Sequence, residues 1–554
     1  MSIGNRWIRL VVLIAALALV AAACSSDSTD STESTSGGTE TEEPETEGTE
    51  TEASGDIEEI TWGIPILPDT LFVPYDFSTG GGTVMALAQE GLLAFDDDLS
   101  LTNGVAESWE QKDPTTYVYT LREGVTFHDG TPVTVEDVVA SFEFHRNPDN
   151  FSFMEFFYFA VDTIEATGDR EVTVTLFEPD VTWQYTPAHM AGFIMPQSQL
   201  EGDLETLGSP DNLPIGTGPY QVVEFVPRDR VVLERYDGYW GENGPAKRIV
   251  IREIEDDQTR LLAMRDGDID GSFEVPLTEI DQWQALEGVD VVTTPSLGLV
   301  LLTLDYFTHP FGDIHVRKAI AHSLDQEGLV SAVMNGAGEE GTVENPPDIW
   351  APVMSGDDAR AFYATLPQYE FDMEKAAAEL ALSSEPDGFE FTVTVPGGAE
   401  LMVTPLLSLA QNLETIGITM NVVEVDGATW QDTYFGHGED LGMQTMQYAA
   451  DYADPVTYPF LFLHSSGAVP GGFNASNYVN ERVDELIDTA VSVSDPAARE
   501  AALTEMHEIA SEDVATIPVY YFDTGMAIRN DLKLDGYSAF YFNIPWAIRG
   551  FGQK

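Results

Sequence analysis

Basic residues and cysteines are scarce in this chain of 554 residues. It holds 24 lysines and arginines against 95 aspartates and glutamates, which gives a formal net charge of −71. A protein that binds nucleic acid neutralises phosphates with clustered cations, so this balance excludes a nucleic-acid partner. The single cysteine excludes an intramolecular disulfide and a zinc site built from several cysteines.

The sequence also lacks the common catalytic motifs. It contains no G-x-x-x-x-G-K-[ST] phosphate-binding loop, no G-x-S-x-G nucleophile elbow and no H-E-x-x-H zinc helix, since His507-Glu508 is not followed by a second histidine at that spacing. We therefore expect no enzyme activity, no cofactor and no metal. A hydrolase with a carboxylate pair stays an alternative, because so many acidic residues conceal any such pair.

The first 23 residues have the pattern of a signal peptide. Arg6 and Arg9 form a basic end, Leu10–Val20 is an unbroken apolar run, and three alanines follow. An apolar run of this length is too short for a permanent membrane-spanning helix, which needs about 20 residues. Because no other apolar run reaches about 18 residues, the sequence predicts no transmembrane helix elsewhere.

The only cysteine, Cys24, directly follows the alanines. This arrangement resembles the lipobox of bacterial lipoproteins, in which the thiol is acylated and becomes the new N-terminus. The sequence departs from that pattern at Ala21, where lipoproteins prefer leucine or valine. The alternative is a secreted protein cleaved after one of the alanines. Lipidation implies an extracytoplasmic protein that is held at the outer face of the bacterial cell membrane, or in the periplasm, by its lipid anchor alone.

An acidic, polar stretch follows the cysteine. Residues 24–56 consist mainly of serine, threonine, glycine and glutamate and contain no lysine or arginine. Such a segment buries too little apolar surface to offset its ordering entropy, so we expect a disordered tether that charge repulsion extends. Residues 60–554 still hold 22 basic and 82 acidic residues, which indicates that the folded body also has an acidic, solvated surface.

The remainder of the chain alternates between strand and helix patterns and has no internal repeat. Alternating and apolar runs predict strands over residues 117–121, 172–177, 221–225, 231–234, 249–254, 299–304, 389–395, 418–425 and 517–522. Apolar spacing and capping residues predict helices after Thr134 and Asp313 and over residues 373–382, 403–416, 479–491 and 497–509. The pattern indicates an α/β or α+β protein of several layers.

Three segments together identify a scaffold. They are Val125–Val139, Gly216–Tyr220 with the later Tyr239–Gly241, and Pro310–Asp313 with the helix that follows. In the first of them, Asp129-Gly130 predicts a tight turn and Thr134 caps a helix. In this order, the segments resemble family 5 of the extracytoplasmic solute-binding proteins, which deliver oligopeptides, dipeptides and related solutes to ABC importers. The resemblance covers essentially residues 57–554.

The motif residues themselves are expected to be architectural. Gly216 and Gly218 would supply backbone freedom where the chain crosses between lobes, and Tyr220, Tyr239 and Trp240 would pack. These motifs therefore indicate the scaffold and not the ligand.

The resemblance implies a bilobed, periplasmic-binding-protein-like fold of type II, α/β in class, with an extra domain, so that three domains surround a hinged cleft. Domain I would combine residues 57–99, 214–304 and 520–554, domain II would span 100–213, and domain III would span 305–519. A peptide-like solute in the cleft would bridge both lobes and favour the closed form, which the membrane permease recognises. ATP hydrolysis would belong to partner subunits, and the binding protein would be a monomer.

The segment Tyr448–Pro455 is the candidate for ligand contact. In peptide-binding members of the family, a strand pairs with the peptide backbone and the aspartate that ends it binds the α-ammonium group; this aspartate matches Asp451. The resemblance also implies that Gln447 and Ala449 offer main-chain groups to the ligand and that Trp430 lines the cleft. The predicted ligand-binding residues are Asp451, Gln447, Tyr448, Ala449 and Trp430.

These assignments have alternatives. Asp451 could merely shape a turn before Pro455, which is the role expected for Asp454, and Trp430 could be an ordinary core residue. Oligopeptide binders carry an arginine shortly before the aspartate, but Leu441–Gln447 contains none. This difference favours longer peptides, amidated or cationic amines, or uncharged oligosaccharides over short peptides. A surface receptor or sensor without transport is a further alternative.

Overall fold

The computed structural model describes residues 56–438 and 441–554. The predicted signal peptide, Cys24 and all but the last residue of the predicted tether lie outside these ranges. That last residue, Asp56, forms an ion pair with Arg235 (Oδ1–Nη1 2.8 Å) and therefore belongs to the folded body. Within the described ranges, no helix combines the length and the apolar composition that a membrane span requires.

The described chain mixes strands and helices throughout. The strands are β1 Ile60–Ile64, β2 Leu93–Phe95, β3 Leu101–Asn103, β4 Ala106–Asp113, β5 Thr116–Leu121, β6 Val161–Gly168, β7 Glu171–Leu176, β8 Tyr220–Val226, β9 Arg230–Arg235, β10 Arg248–Glu253, β11 Gly271–Phe273, β12 Val289–Leu304, β13 Gly338–Glu340, β14 Glu390–Pro396, β15 Thr419–Val425, β16 Met443–Ala449, β17 Ile517–Arg529, β18 Leu532–Leu534 and β19 Phe551–Gln553. The α-helices are α1 Thr79–Met85, α2 Val135–Arg146, α3 Gln197–Leu200, α4 Asp257–Asp266, α5 Ile280–Gln284, α6 Ile314–His322, α7 Gln326–Met334, α8 Gly356–Tyr363, α9 Met373–Leu382, α10 Glu400–Glu414, α11 Gly427–Gly436, α12 Thr457–Phe462, α13 Glu481–Ser492 and α14 Pro496–Asp513.

A nine-stranded mixed sheet organises most of the molecule. Its order is β16-β12-β17-β11-β1-β10-β9-β8, and β13 pairs with β17 beside this path. Strand β1 runs parallel to β10 and β11, whereas β12 runs antiparallel to both β16 and β17. Strands β12 and β17 stay side by side from Val289 opposite Arg529 to Leu302 opposite Ile517. These two strands therefore connect the part of the sheet around β1 with the part around β16.

Each predicted strand and helix overlaps an element of the structure. Two predicted strands, over residues 299–304 and 517–522, are much shorter than the observed β12 and β17. The first half of β12 contains Asp290 and Pro295, which have low strand propensity and hide the strand pattern. Pairing with β17 keeps this half extended. The pairing register shifts between Pro295 and Gly298, and a strand accepts proline, which has no amide hydrogen, at such an irregularity.

Residues 100–213 contain a separate antiparallel sheet in the order β4-β5-β7-β6. Helix α2 packs on it and begins as predicted, because the Thr134 side chain accepts a hydrogen bond from the Asp137 amide and Asp137 in turn accepts from the Thr134 amide. The predicted tight turn before this helix is also present, since Gly130 has a φ of 83°.

The prediction of backbone freedom at Gly216 and Gly218 was wrong, because neither residue has a positive φ. Both glycines instead allow a close approach of two backbones. A Cβ at Gly216 would lie 1.9 Å from the Ala88 carbonyl oxygen, and one at Gly218 would lie 2.6 Å from that of Leu87. The Gly218 amide donates to the Ala88 carbonyl at 3.0 Å, which requires this proximity.

Glu90 joins the second motif to its later Tyr-Trp pair. Its carboxylate accepts hydrogen bonds from Thr217 Oγ1 (3.1 Å), Tyr239 OH (2.8 Å) and Trp240 Nε1 (2.9 Å). Burial raises the pKa of Glu90 to about 7, although the three donors favour its charged form. Arg122 covers the Trp240 ring at 4.4 Å. Tyr239 and Trp240 thus pack, as predicted, around a shared acceptor.

Candidate ligand-binding site

The last residues of β16 form an accessible edge of the central sheet. Strand β16 is the terminal strand in the sheet order and pairs with β12, with Ala449 opposite Gly298. Met443–Met446 are buried, Gln447 and Tyr448 are half-buried, and Ala449 is exposed. An edge strand presents unpaired main-chain groups, so an extended segment could add to this end of the sheet.

Asp451 lies just beyond β16 and is half-buried. Its Oδ2 accepts a hydrogen bond from Tyr448 OH at 3.2 Å. Burial raises the pKa of Asp451 to about 7, while the Tyr448 hydroxyl lowers it. Among the residues that the structure describes, no basic side chain contributes to this pKa. The carboxylate therefore has no positively charged partner among the described residues. No group of three or more His, Cys, Asp and Glu side chains in the described ranges could hold a metal ion.

An aromatic cluster connects Trp430 with Tyr448. The Tyr448 ring meets Phe473 edge-on at 5.4 Å, Phe473 meets Phe435 at 5.1 Å, and Phe435 lies 6.5 Å from Trp430. Trp430 is only 1% exposed and also packs on Tyr434. Its indole N–H has no hydrogen-bond partner among the described residues. Packing in the hydrophobic core thus explains the burial of the Trp430 ring. Its contact with ligand stays a prediction.

Asp454 is fully buried and pairs with a buried arginine. Its Oδ1 lies 2.5 Å from Arg499 Nη2, and Arg499 is 4% exposed. The same oxygen accepts from the Val456 amide at 3.0 Å, which agrees with a structural role in the turn. Arg499 also donates from Nε to the Ala490 carbonyl at 2.9 Å. Asp454 therefore shapes the turn and neutralises a buried cation.

Tyr185 brings the part of the chain with the four-stranded sheet against the segment after Asp451. Its hydroxyl donates to Asp454 Oδ2 at 3.1 Å, and its ring stacks on Tyr452 with centroids 5.1 Å apart and planes 6° apart. Tyr185 and Arg499 were not predicted as site residues, and Tyr452 lies in the candidate segment but was given no role. No motif marks Tyr185 or Arg499, and the hydrogen bond of Tyr185 to Asp454 joins positions 269 residues apart.

The chain is similar to known proteins over most of its length. A family model described as bacterial extracellular solute-binding proteins, family 5, middle part, matches residues 100–469. The chain belongs to this family. Family 5 proteins are solute-binding components of ABC importers, and this chain is such a component. The predicted family is thereby confirmed.

Relatives of this family 5 protein cover nearly the whole body. The glutathione-binding protein GsiB of Salmonella typhi is 26% identical over 458 residues, which are 81% of this chain and 86% of GsiB. The structure of DppA from Helicobacter pylori in complex with the peptide STSA has a TM-score of 0.75 at 21% identity and covers 91% of this chain and 99% of DppA. AppA from Bacillus subtilis in complex with a nonapeptide has a TM-score of 0.71 at 22% identity and covers 90% and 99%. The predicted type II periplasmic-binding-protein fold is confirmed by these similarities.

Proposed function

We propose that this family 5 protein binds a peptide-like solute by its amino-terminal ammonium group and delivers it to the permease of an ABC importer. The observation that carries the proposal is the half-buried Asp451 carboxylate, which lies at the end of a sheet edge and has no basic partner in the described ranges. An ammonium group would form a charge-assisted hydrogen bond with it, and the edge of β16 would pair with an extended backbone. This solute class is supported by the relatives, since GsiB is described as a glutathione-binding protein and the structures of DppA and AppA contain bound peptides.

The cleft is proposed to lie between residues 100–213, as domain II, and the 305–519 part that contains Asp451, as domain III. The contact of Tyr185 with Asp454 supports this location, since it joins the two parts at a residue close in sequence to Asp451. The long strands β12 and β17 are the proposed hinge, because they continue from the part of the sheet around β1 into the part around β16. Ligand that contacts both sides would favour the closed form.

Binding of an amine should depend on pH, because Asp451 must be ionised. Its pKa of about 7 leaves the carboxylate mostly neutral in mildly acidic buffer and mostly charged in mildly alkaline buffer. We expect the affinity for a tetrapeptide with a free amino terminus to fall about 25-fold from about pH 7.5 to about pH 5.5, measured by isothermal titration calorimetry. The N-acetylated tetrapeptide is the control and should bind weakly at both pH values. Equal binding of the two peptides would refute the proposal.

The lipid anchor at Cys24 is part of the proposal, and the alanine run before this residue supports it. Cys24→Ser removes the only thiol that could be acylated. We expect this variant to move from the membrane fraction to the soluble fraction of bacterial cells, as followed by immunoblotting. The neighbouring Ser25→Ala variant keeps the thiol and should stay in the membrane fraction. An unchanged membrane association of Cys24→Ser would contradict lipidation.

A further inference from the structure

Tyr185 makes a buried contact between two parts of the chain that the proposed cleft separates. It belongs to residues 100–213, whereas its hydrogen-bond acceptor Asp454 and its stacking partner Tyr452 belong to residues 305–519. Tyr185 is 5% exposed and Asp454 is fully buried. Because little water competes for a buried hydrogen bond, such a bond to a carboxylate is stronger than one at the surface. The contact therefore stabilises the arrangement in which the two parts lie together.

The structure fixes Tyr185 to its own part of the chain. The residue lies in a 3₁₀ helix that Asp180 caps, since Asp180 Oδ1 accepts a hydrogen bond from the Thr182 amide at 2.9 Å. Two residues before Tyr185, Trp183 Nε1 donates to the hydroxyl of Tyr119 at 3.1 Å. Tyr119 belongs to β5 of the four-stranded sheet. Tyr185 should therefore move with this sheet when the two parts separate.

Asp454 is held ready for Tyr185 by its own part of the chain. Its Oδ1 accepts from the Val456 amide at 3.0 Å and from Arg499 Nη2 at 2.5 Å. Its Oδ2 accepts from Tyr185 OH at 3.1 Å. The donors within residues 305–519 thus order the carboxylate through one oxygen, and the other oxygen receives the hydroxyl. Because both partners are already ordered, the contact forms at a small cost in conformational entropy.

We infer, on the basis of the proposed function, that Tyr185 is a latch that holds the cleft closed around a bound solute and slows its release. Opening would separate residues 100–213 from residues 305–519 and break the contact with Asp454. A bound solute leaves only after opening, so the strength of this contact adds to the barrier for dissociation. The latch joins the two parts of the protein and should retain different solutes equally. Tyr185 is thus a positioning residue, whereas Asp451 would recognise the solute.

Tyr185→Phe tests the latch, because it removes the hydroxyl and keeps the ring that stacks on Tyr452. Dissociation of tetra-alanine should become about tenfold faster, which is the effect of losing one hydrogen bond to a carboxylate. Association should not become slower, because the solute enters the open form. Hexa-alanine should show the same acceleration, since the latch acts on opening. Surface plasmon resonance with immobilised protein measures both rates for both peptides.

Tyr158→Phe is the matched control. Tyr158 is also buried, and its hydroxyl donates to the Ala191 carbonyl at 2.6 Å, which lies in the same part of the chain. The substitution therefore removes a buried hydroxyl without affecting a contact across the proposed cleft. We expect the dissociation rates of both peptides to stay at the wild-type values. An acceleration equal to that of Tyr185→Phe would indicate general loosening of this part and would overturn the inference.

A second test removes the acceptor of the latch. The double variant Asp454→Leu with Arg499→Met replaces the buried ion pair with apolar residues of similar volume. In this background Tyr185→Phe should accelerate dissociation no further, because the hydroxyl has lost its partner. If Tyr185→Phe accelerated dissociation by the same factor in both backgrounds, Tyr185 would not act through Asp454, and the inference would be wrong.

The outcomes separate the inference from the proposed function. If both peptides bind the wild type and Tyr185→Phe leaves their dissociation rates unchanged, the latch is refuted and the proposed function stands. An acceleration for one peptide alone would indicate that Tyr185 contacts the solute, which also refutes the latch. If neither peptide binds the wild type, the proposed function fails and the inference fails with it.

Discussion

Asp451→Asn should weaken the binding of a peptide with a free amino terminus by about 2–5 kcal/mol, which is roughly 30-fold to several thousand-fold in Kd. The substitution keeps the size of the side chain and an acceptor for Tyr448 OH, but it removes the negative charge that faces no basic residue in the described ranges. Isothermal titration calorimetry with the same tetrapeptide measures the change, and the pH dependence of binding should disappear with it.

Asp451→Asn should not destabilise the folded protein, although it weakens ligand binding. Burial raises the pKa of Asp451 from 3.8 to about 7, so the folded state holds a proton that the unfolded state releases between these values. The free energy of unfolding of the wild type therefore falls as the pH rises from 3.8 to about 7, whereas Asp451→Asn lacks this pH-dependent contribution. We expect its midpoint of thermal unfolding at about pH 7.5 to equal or exceed that of the wild type. Lower stability together with unchanged affinity would indicate a purely structural aspartate.

Asp432→Asn provides a matched control for this experiment. Asp432 is exposed on α11, the helix that carries Trp430, and its substitution removes the same charge from the same part of the molecule. We expect it to leave the affinity nearly unchanged, because exposed charges are screened at ordinary ionic strength. If Asp432→Asn weakened binding as much as Asp451→Asn, long-range attraction would account for the effect, and the assignment of Asp451 would be wrong.

Asp454→Ala should lower the free energy of unfolding by about 3–5 kcal/mol, because it leaves the buried Arg499 without a counter-ion. It also removes the acceptor of Tyr185 OH. The midpoint of urea unfolding, followed by circular dichroism, measures this loss. The double variant Asp454→Leu with Arg499→Met should recover much of it, since apolar residues of similar volume replace the pair without burying a charge.

An exposed ion pair is the control for this second prediction. Arg482 and Glu505 form a pair (Nε–Oε1 2.9 Å) whose side chains are about half exposed, at 50% and 47%. Because solvent screens such pairs, Arg482→Ala should cost no more than about 1 kcal/mol. If Asp454→Ala also cost no more than about 1 kcal/mol, water would have to compensate the charge of Arg499 after the substitution. That result would contradict the burial of Arg499.

Local signals explain why much of the fold was predictable. The capping box of Thr134 with Asp137 and the turn at Gly130 involve residues close in sequence, so their geometry follows from short-range hydrogen bonds. Helix α9 begins after the cap Asp372 and has the predicted ends for the same reason. Among the site residues, Tyr448 and Asp451 are near neighbours, and their hydrogen bond lies within the segment that the family resemblance indicated.

Long-range packing explains what sequence reasoning missed. The first half of β12 has a weak strand pattern and is extended only because β17 pairs with it. Gly216 is glycine because Ala88 lies against it, and not because of its own φ. No periodicity marks such contacts, because the partners are far apart in sequence and each side chain has an ordinary neighbourhood along the chain.

The sequence by itself determined the family, the scarcity of cations and the candidate carboxylate Asp451, because these depend on residue types and short motifs. Only the tertiary structure decided the surroundings of that carboxylate. It buried Arg499 against Asp454 and brought Tyr185 onto Tyr452. The physical reason is that the effective charge of a group depends on burial and on partners within a few ångströms, which chain folding sets and composition does not.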